Sequence, residues 1–170
     1  GSSVQIAEIS LQKSESRVQK ESPNTYNLQP NTYHLQPNTY KISISHSLDF
    51  SAIVISDKNV GLDVEQIKDK NLKIAPRFMN IKHLEGLNEE EAMQKATVIW
   101  GIKEAVFKLK NEKGISFPNH IFEEEFNLED KKTTAILQFK DKKEHFHFVF
   151  DFIENYMFVC GFEFEKNNSL

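Results

Sequence analysis

The sequence predicts an α+β fold, an antiparallel sheet packed with helices. Three observations carry this. Glu89–Asn111 is a long stretch in which Ala92, Ala96, Ile99, Lys103 (by its stem), Val106 and Leu109 recur at three-four spacing, the mark of a helix with one buried face. Short strand-like segments lie on both sides of it. Beyond it, Phe146, Phe148, Phe150 and Phe152 occupy every second position and therefore share one face of a strand.

From the amino terminus, Val4–Leu11 alternates well enough for one strand, and Gln12–Ser22 is polar. From Pro23 to Tyr40 the chain repeats PNTYxLQ with a period of seven. A proline in each copy excludes a helix, so this stretch reads as an extended linker. The chain thus divides into an amino-terminal segment, 1–40, and a folded domain, 41–170. In the domain, Lys41–Ser45 and Ala52–Ser56 read as strands joined by a turn at Ser47-Leu48-Asp49. Val60–Glu65 follows as a strand after the Asp57-Lys58-Asn59 turn. Ile74–Leu84 is predicted to be a helix with Pro76 in its first turn, and Gly114 to end the long helix. Thr133–Phe139, the Phe ladder and Tyr156–Phe164 complete the sheet, the last two joined at Glu154-Asn155. The ladder belongs in the core; an exposed ladder would be an interface.

Hydrophobic residues make up 39% of the 170 residues, enough for a core, and the net charge of −4 gives no sign of a nucleic-acid partner. The one cysteine, Cys160, cannot form an internal disulfide and lies in an apolar run. It reads as a small buried hydrophobe in a chain of a reducing, cytoplasmic compartment. No apolar run is long enough for a transmembrane helix, and no signal peptide is apparent. The opening Gly1-Ser2-Ser3 resembles the remnant of an expression tag.

Three motifs suggest chemistry. In Gly61-Leu62-Asp63-Val64-Glu65, strand alternation sets Asp63 and Glu65 side by side, and two adjacent carboxylates repel unless something neutralises them. Mg²⁺ is suited to that task, although a solvated strand face would carry the same pattern. In Trp100-Gly101-Ile102-Lys103-Glu104-Ala105-Val106-Phe107-Lys108, residues 100, 104 and 108 fall on one helix face. This reads either as a third metal carboxylate with a phosphate-binding lysine or as an ordinary Glu–Lys support pair. In Ile42-Ser43-Ile44-Ser45-His46-Ser47 a strand ends among hydroxyls and an imidazole, which suits a phosphate or a purely structural role.

The order SISHS, GLDVE, WGIKEAVFK, with 17 residues from His46 to Asp63 and 39 from Glu65 to Glu104, resembles the signature of the 4′-phosphopantetheinyl transferase superfamily. The resemblance spans about residues 41–165 and is nearest the longer, pseudo-twofold bacterial branch. It implies transfer of the phosphopantetheine arm of coenzyme A to a serine of an acyl or peptidyl carrier protein. It further implies Asp63, Glu65 and Glu104 as Mg²⁺ ligands, and Glu104 or a water beside it as the acceptor of the serine proton. Lys108 would lie on the pyrophosphate, Lys103 beside it facing substrate or carrier, and Ser45 and His46 on the nucleotide end of coenzyme A. An electropositive rim of Lys68, Lys70, Lys73, Arg77 and Lys82 would suit an acidic carrier.

Two departures stand out. After Arg77-Phe78 the family carries a Glu where this chain has His83, with Glu85 two residues on. The region before His46 is also short for the two-lobed branch. A site between lobes would then be completed by a second copy, with the Phe-rich sheet as an interface, or the chain would be a degenerate homologue that keeps the fold and holds coenzyme A without efficient transfer.

Overall fold

The computed structural model describes residues 8–13 and 40–164. Its strands are β1 (Glu8–Lys13), β2 (Lys41–Ser47), β3 (Phe50–Ser56), β4 (Val60–Gln66), β5 (Ile121–Glu123), β6 (Lys132–Phe139), β7 (Lys142–Ile153) and β8 (Tyr156–Glu163). Its α-helices are α1 (Asp69–Ile74), α2 (Glu89–Lys110) and the single turn α3 (Phe117–His120). The strands form two antiparallel sheets, β1-β3-β2 and β4-β8-β7-β6-β5. The expected α+β class holds. The PNTYxLQ repeat lies outside the described residues up to Tyr40, while β1 pairs with β3 from Glu8↔Ile55 to Lys13↔Phe50.

The long helix α2 is the centre of the fold. A capping box starts it: the Asn88 side chain accepts from Glu91 N, and Glu91 Oε2 accepts from Asn88 N. Asn111, at φ 45°, ends it in the left-handed region that asparagine tolerates, three residues before the expected Gly114. Gly114 instead supplies a positive φ in the turn beyond. The apolar face of α2, with Ile99, Ile102 and Val106 fully buried, packs on Phe146, Phe148, Met157 and Val159 of the larger sheet. The Phe ladder is therefore core rather than an interface. Two glycines let helix and sheet approach. A Cβ on Gly61 would stand 2.3 Å from Ala105 O, and one on Gly101 would stand 2.6 Å from Met157 Cε.

The other face of β4 and β8 is covered as well. Val60, Leu62, Val64, Tyr156, Phe158, Cys160 and Phe162 pack on Phe50, Ala52 and Val54 of the smaller sheet. Burial pushes the Cys160 thiol up to about 12, the behaviour of an inert hydrophobe. Ile74–Leu84 differs from expectation. The α-helix ends at Ile74, and short 3₁₀ turns at Ala75–Arg77 and Ile81–Leu84 replace its continuation. Pro76 has no N–H to donate to Leu72, so the helix cannot run through it. Among the described residues no helix is long and apolar enough to cross a membrane.

Candidate active site

Strand β4 presents Gly61, Asp63 and Glu65 to α2, and helical spacing presents Trp100, Glu104 and Lys108 back to it. The alternation read from GLDVE is real, but its acidic side is not a solvated face: Asp63 is 4% exposed. Lys108 Nζ donates to Asp63 Oδ1 at 3.0 Å, to Leu62 O at 2.7 Å and to Ser45 Oγ at 3.2 Å. Ser45 Oγ donates to Asp63 Oδ1 at 3.2 Å. Trp100 Nε1 donates to Glu65 Oε1 at 3.3 Å.

The serines of β2 act in a way the sequence did not suggest. Ser43 Oγ accepts from Leu62 N at 2.9 Å, and Ser45 Oγ accepts from Val64 N at 3.1 Å. These two donors lie on the edge of β4 away from β8, so the hydroxyls of one sheet cap the open edge of the other. Their spacing of two was the available signal. It also puts His46 on the opposite, exposed face of β2, beside Ile44 and Ile42. Ser45 joins the acidic site and His46 does not.

The three carboxylates feel one another. Burial, and then Lys108 and Ser45 in opposition, leave Asp63 above the ordinary carboxylate range. Glu65 is raised by burial, by Asp63 and by Glu104, against the Trp100 hydrogen bond. Glu104 is raised by burial and by Asp63. Asp63 Oδ2 is buried without a hydrogen-bond partner among the described residues. Hard oxygen donors, mutual repulsion and an orphaned oxygen match the needs of a divalent cation. As they stand, however, no three His, Cys, Asp or Glu side chains among the described residues are gathered into a ligand set. The Lys108 ammonium is the cation that Asp63 contacts.

Lys103 lies elsewhere. It is 1% exposed, with Nζ in contact with Glu123 Oε2 and Ile121 O and 3.4 Å from Phe117 O. Burial lowers its pKa against the pull of Glu123. His83, at the position where a Glu was expected, stands between carboxylates, with Nε2 3.5 Å from Glu123 Oε1 and Nδ1 against Glu125 Oε2; Lys95 closes on Glu125. Sequence reasoning missed Glu123, Glu125 and Lys95. Only the Glu123–Glu125 spacing hinted at a shared face.

A family model of the 4′-phosphopantetheinyl transferase superfamily matches residues 59–158, more than half of the chain. That span runs from β4 into β8 and contains Asp63, Glu65, Glu104 and Lys108. Over 78 residues the chain is 36% identical to the 4′-phosphopantetheinyl transferase psf-1 of Bacillus pumilus, a match covering 44% of this chain and only 33% of that relative's length. By its fold, its paired acidic strand and helix, and this match, the chain belongs to the 4′-phosphopantetheinyl transferase superfamily.

Proposed function

We propose that the chain transfers the 4′-phosphopantetheine arm of coenzyme A to a serine of an acyl or peptidyl carrier protein, with Mg²⁺, in the cytoplasm. The observation that carries this reading is the buried Asp63, with one oxygen on Lys108 and Ser45 and the other without a partner among the described residues, set near Glu65 and Glu104 within the family-matched span. Asp63, Glu65 and Glu104 would hold the metal. When bound, Mg²⁺ supplies neutralisation of pyrophosphate charge and polarisation of a phosphoryl oxygen.

The chain's own residues then have distinct tasks. Lys108 offers its ammonium to the phosphates, which exchanges Asp63 for a ligand oxygen. Glu104, or a water beside it, takes the proton of the attacking serine. The serine Oγ bonds to the phosphorus of the pantetheine arm, the bond to the bridging oxygen breaks, and 3′,5′-ADP leaves. Trp100 orients Glu65, and Ser45 orients Asp63.

The test is mass spectrometry of an apo carrier protein incubated with the chain, coenzyme A and Mg²⁺. A gain of one phosphopantetheine, absent with Glu104→Ala, is the expected result. A second reading is a homologue that holds coenzyme A without efficient transfer. It is favoured by His83 at the Glu position and by the ungathered carboxylates. Coenzyme A binding by calorimetry with no mass gain across several carriers would select it.

A further inference from the structure

A lysine ammonium has three hydrogens, and around Lys103 they meet Glu123 Oε2, Ile121 O and Phe117 O. None is left for a phosphate. The side chains of Lys103 and Glu123 are 2% and 3% exposed, and both line a pocket shared with His83 and Ile121 while their polar atoms are spent on each other and on the two carbonyls. The pair grips the α3 turn from both ends, Phe117 and Ile121. Within that turn His120 Nδ1 accepts from Ser116 N at 2.8 Å. The Phe117 ring stands edge-on to Trp100, with centroids 5.5 Å apart, and Phe78 also stands edge-on to Trp100 at 5.1 Å. Trp100 in turn donates to Glu65. A continuous set of contacts therefore runs from the buried ion pair through one aromatic ring to the indole that orients an acidic-site carboxylate.

We propose that Lys103 is a positioning residue rather than a ligand of coenzyme A or carrier: clamped by Glu123 and two carbonyls, it fixes Phe117 against Trp100 and so sets Glu65. The assignment to catalysis rests on the transfer reading of the site. The clamp itself does not.

Trp100 is the one tryptophan of the chain, so tryptophan emission reports on the surroundings of this indole. The experiment compares Glu123→Gln, Lys103→Met and the double variant by Trp100 emission, melting temperature and calorimetric binding of coenzyme A with Mg²⁺. Glu123→Gln keeps the shape of the side chain, so it provides a folded variant should Lys103→Met not fold. It is expected to move Trp100 emission to the red and to weaken coenzyme A binding about tenfold, as loss of a supporting contact does. Lys103→Met is expected to do the same and to melt about 10 °C lower, because it leaves the buried Glu123 carboxylate with only His83 beside it. The double variant, with no unpaired buried charge, is expected to recover more than half of the loss in melting temperature, but without the ammonium that holds Phe117 and Ile121 it keeps the emission shift and the weakened binding; recovery of emission and affinity as well would overturn the proposal. Loss of coenzyme A binding in Lys103→Met with wild-type emission and melting would make Lys103 a direct ligand and overturn the proposal. So would Glu123→Gln that melts lower with emission and affinity unmoved. If the wild-type chain binds no coenzyme A, the transfer reading fails, and the emission shift, kept in the double variant while melting recovers, decides the clamp separately.

Discussion

Helix α2 carries two lysine–carboxylate pairs little more than one turn apart, and they are built to opposite ends. In the Lys103–Glu123 pair both side chains are at most 3% exposed, every ammonium hydrogen has an acceptor, and Glu123 has a second partner in His83. In the Lys108–Asp63 pair the lysine is 31% exposed, one aspartate oxygen has no partner among the described residues, and Glu65 and Glu104 feel the Asp63 charge. Burial without satisfaction costs stability, and a fold tolerates it where a ligand supplies what is missing. The first pair is satisfied by its own surroundings; the second leaves a buried carboxylate oxygen without a partner among the described residues.

This contrast is open to attack at several points. The largest effect is expected at the open pair: Asp63→Asn should lower carrier modification about a hundred- to a thousandfold, read by mass spectrometry, while leaving melting unchanged or raised. A large loss of stability in that variant would mean that the pair is structural after all. Next, Lys103→Met should cost about 3–5 kcal/mol in denaturant unfolding, the cost of stranding a buried partner. Gly61→Ala should cost about 1–3 kcal/mol, since the new Cβ would meet Ala105 O at 2.3 Å and push α2 off β4. It should also depress activity, because Glu104 moves with the helix.

The pH dependence gives a finer test. Asp63, Glu65 and Glu104 have pKa values raised in the folded chain. Between the ordinary carboxylate range and those raised values the folded state holds more protons than the unfolded one. Stability from these groups is therefore present at the acid end and is lost as pH rises through that window. Melting followed from about pH 4 upward should show this decline, and Asp63→Asn or added Mg²⁺ should flatten it. The smallest expected effect is at Asn88→Ala, which removes the capping box for about 1 kcal/mol without touching either pair.

The reading of the sequence succeeded where local pattern and local chemistry agree. The alternation of Val60–Glu65, the three-four spacing of α2 and the Phe ladder each place their residues on the face the structure shows. Ile74–Leu84 failed for a local reason as well, since Pro76 stops a helix that begins earlier, at Asp69. Lys103 shows the limit most clearly. Its neighbours in sequence, Glu104 and Lys108, face the acidic site, but one step along a helix turns a side chain by about 100°, and Glu123 is what it meets.

By itself the sequence determined the fold class, the paired carboxylates and the helix that faces them, because periodicity and residue type fix which side chains share a face. Only the tertiary structure decided which lysine meets Asp63 and which meets Glu123, that β2 serines cap the edge of β4, and that both faces of β4 are buried. Those outcomes depend on contacts between residues far apart in the chain, and spacing along the chain carries no information about which distant surface closes over a given face.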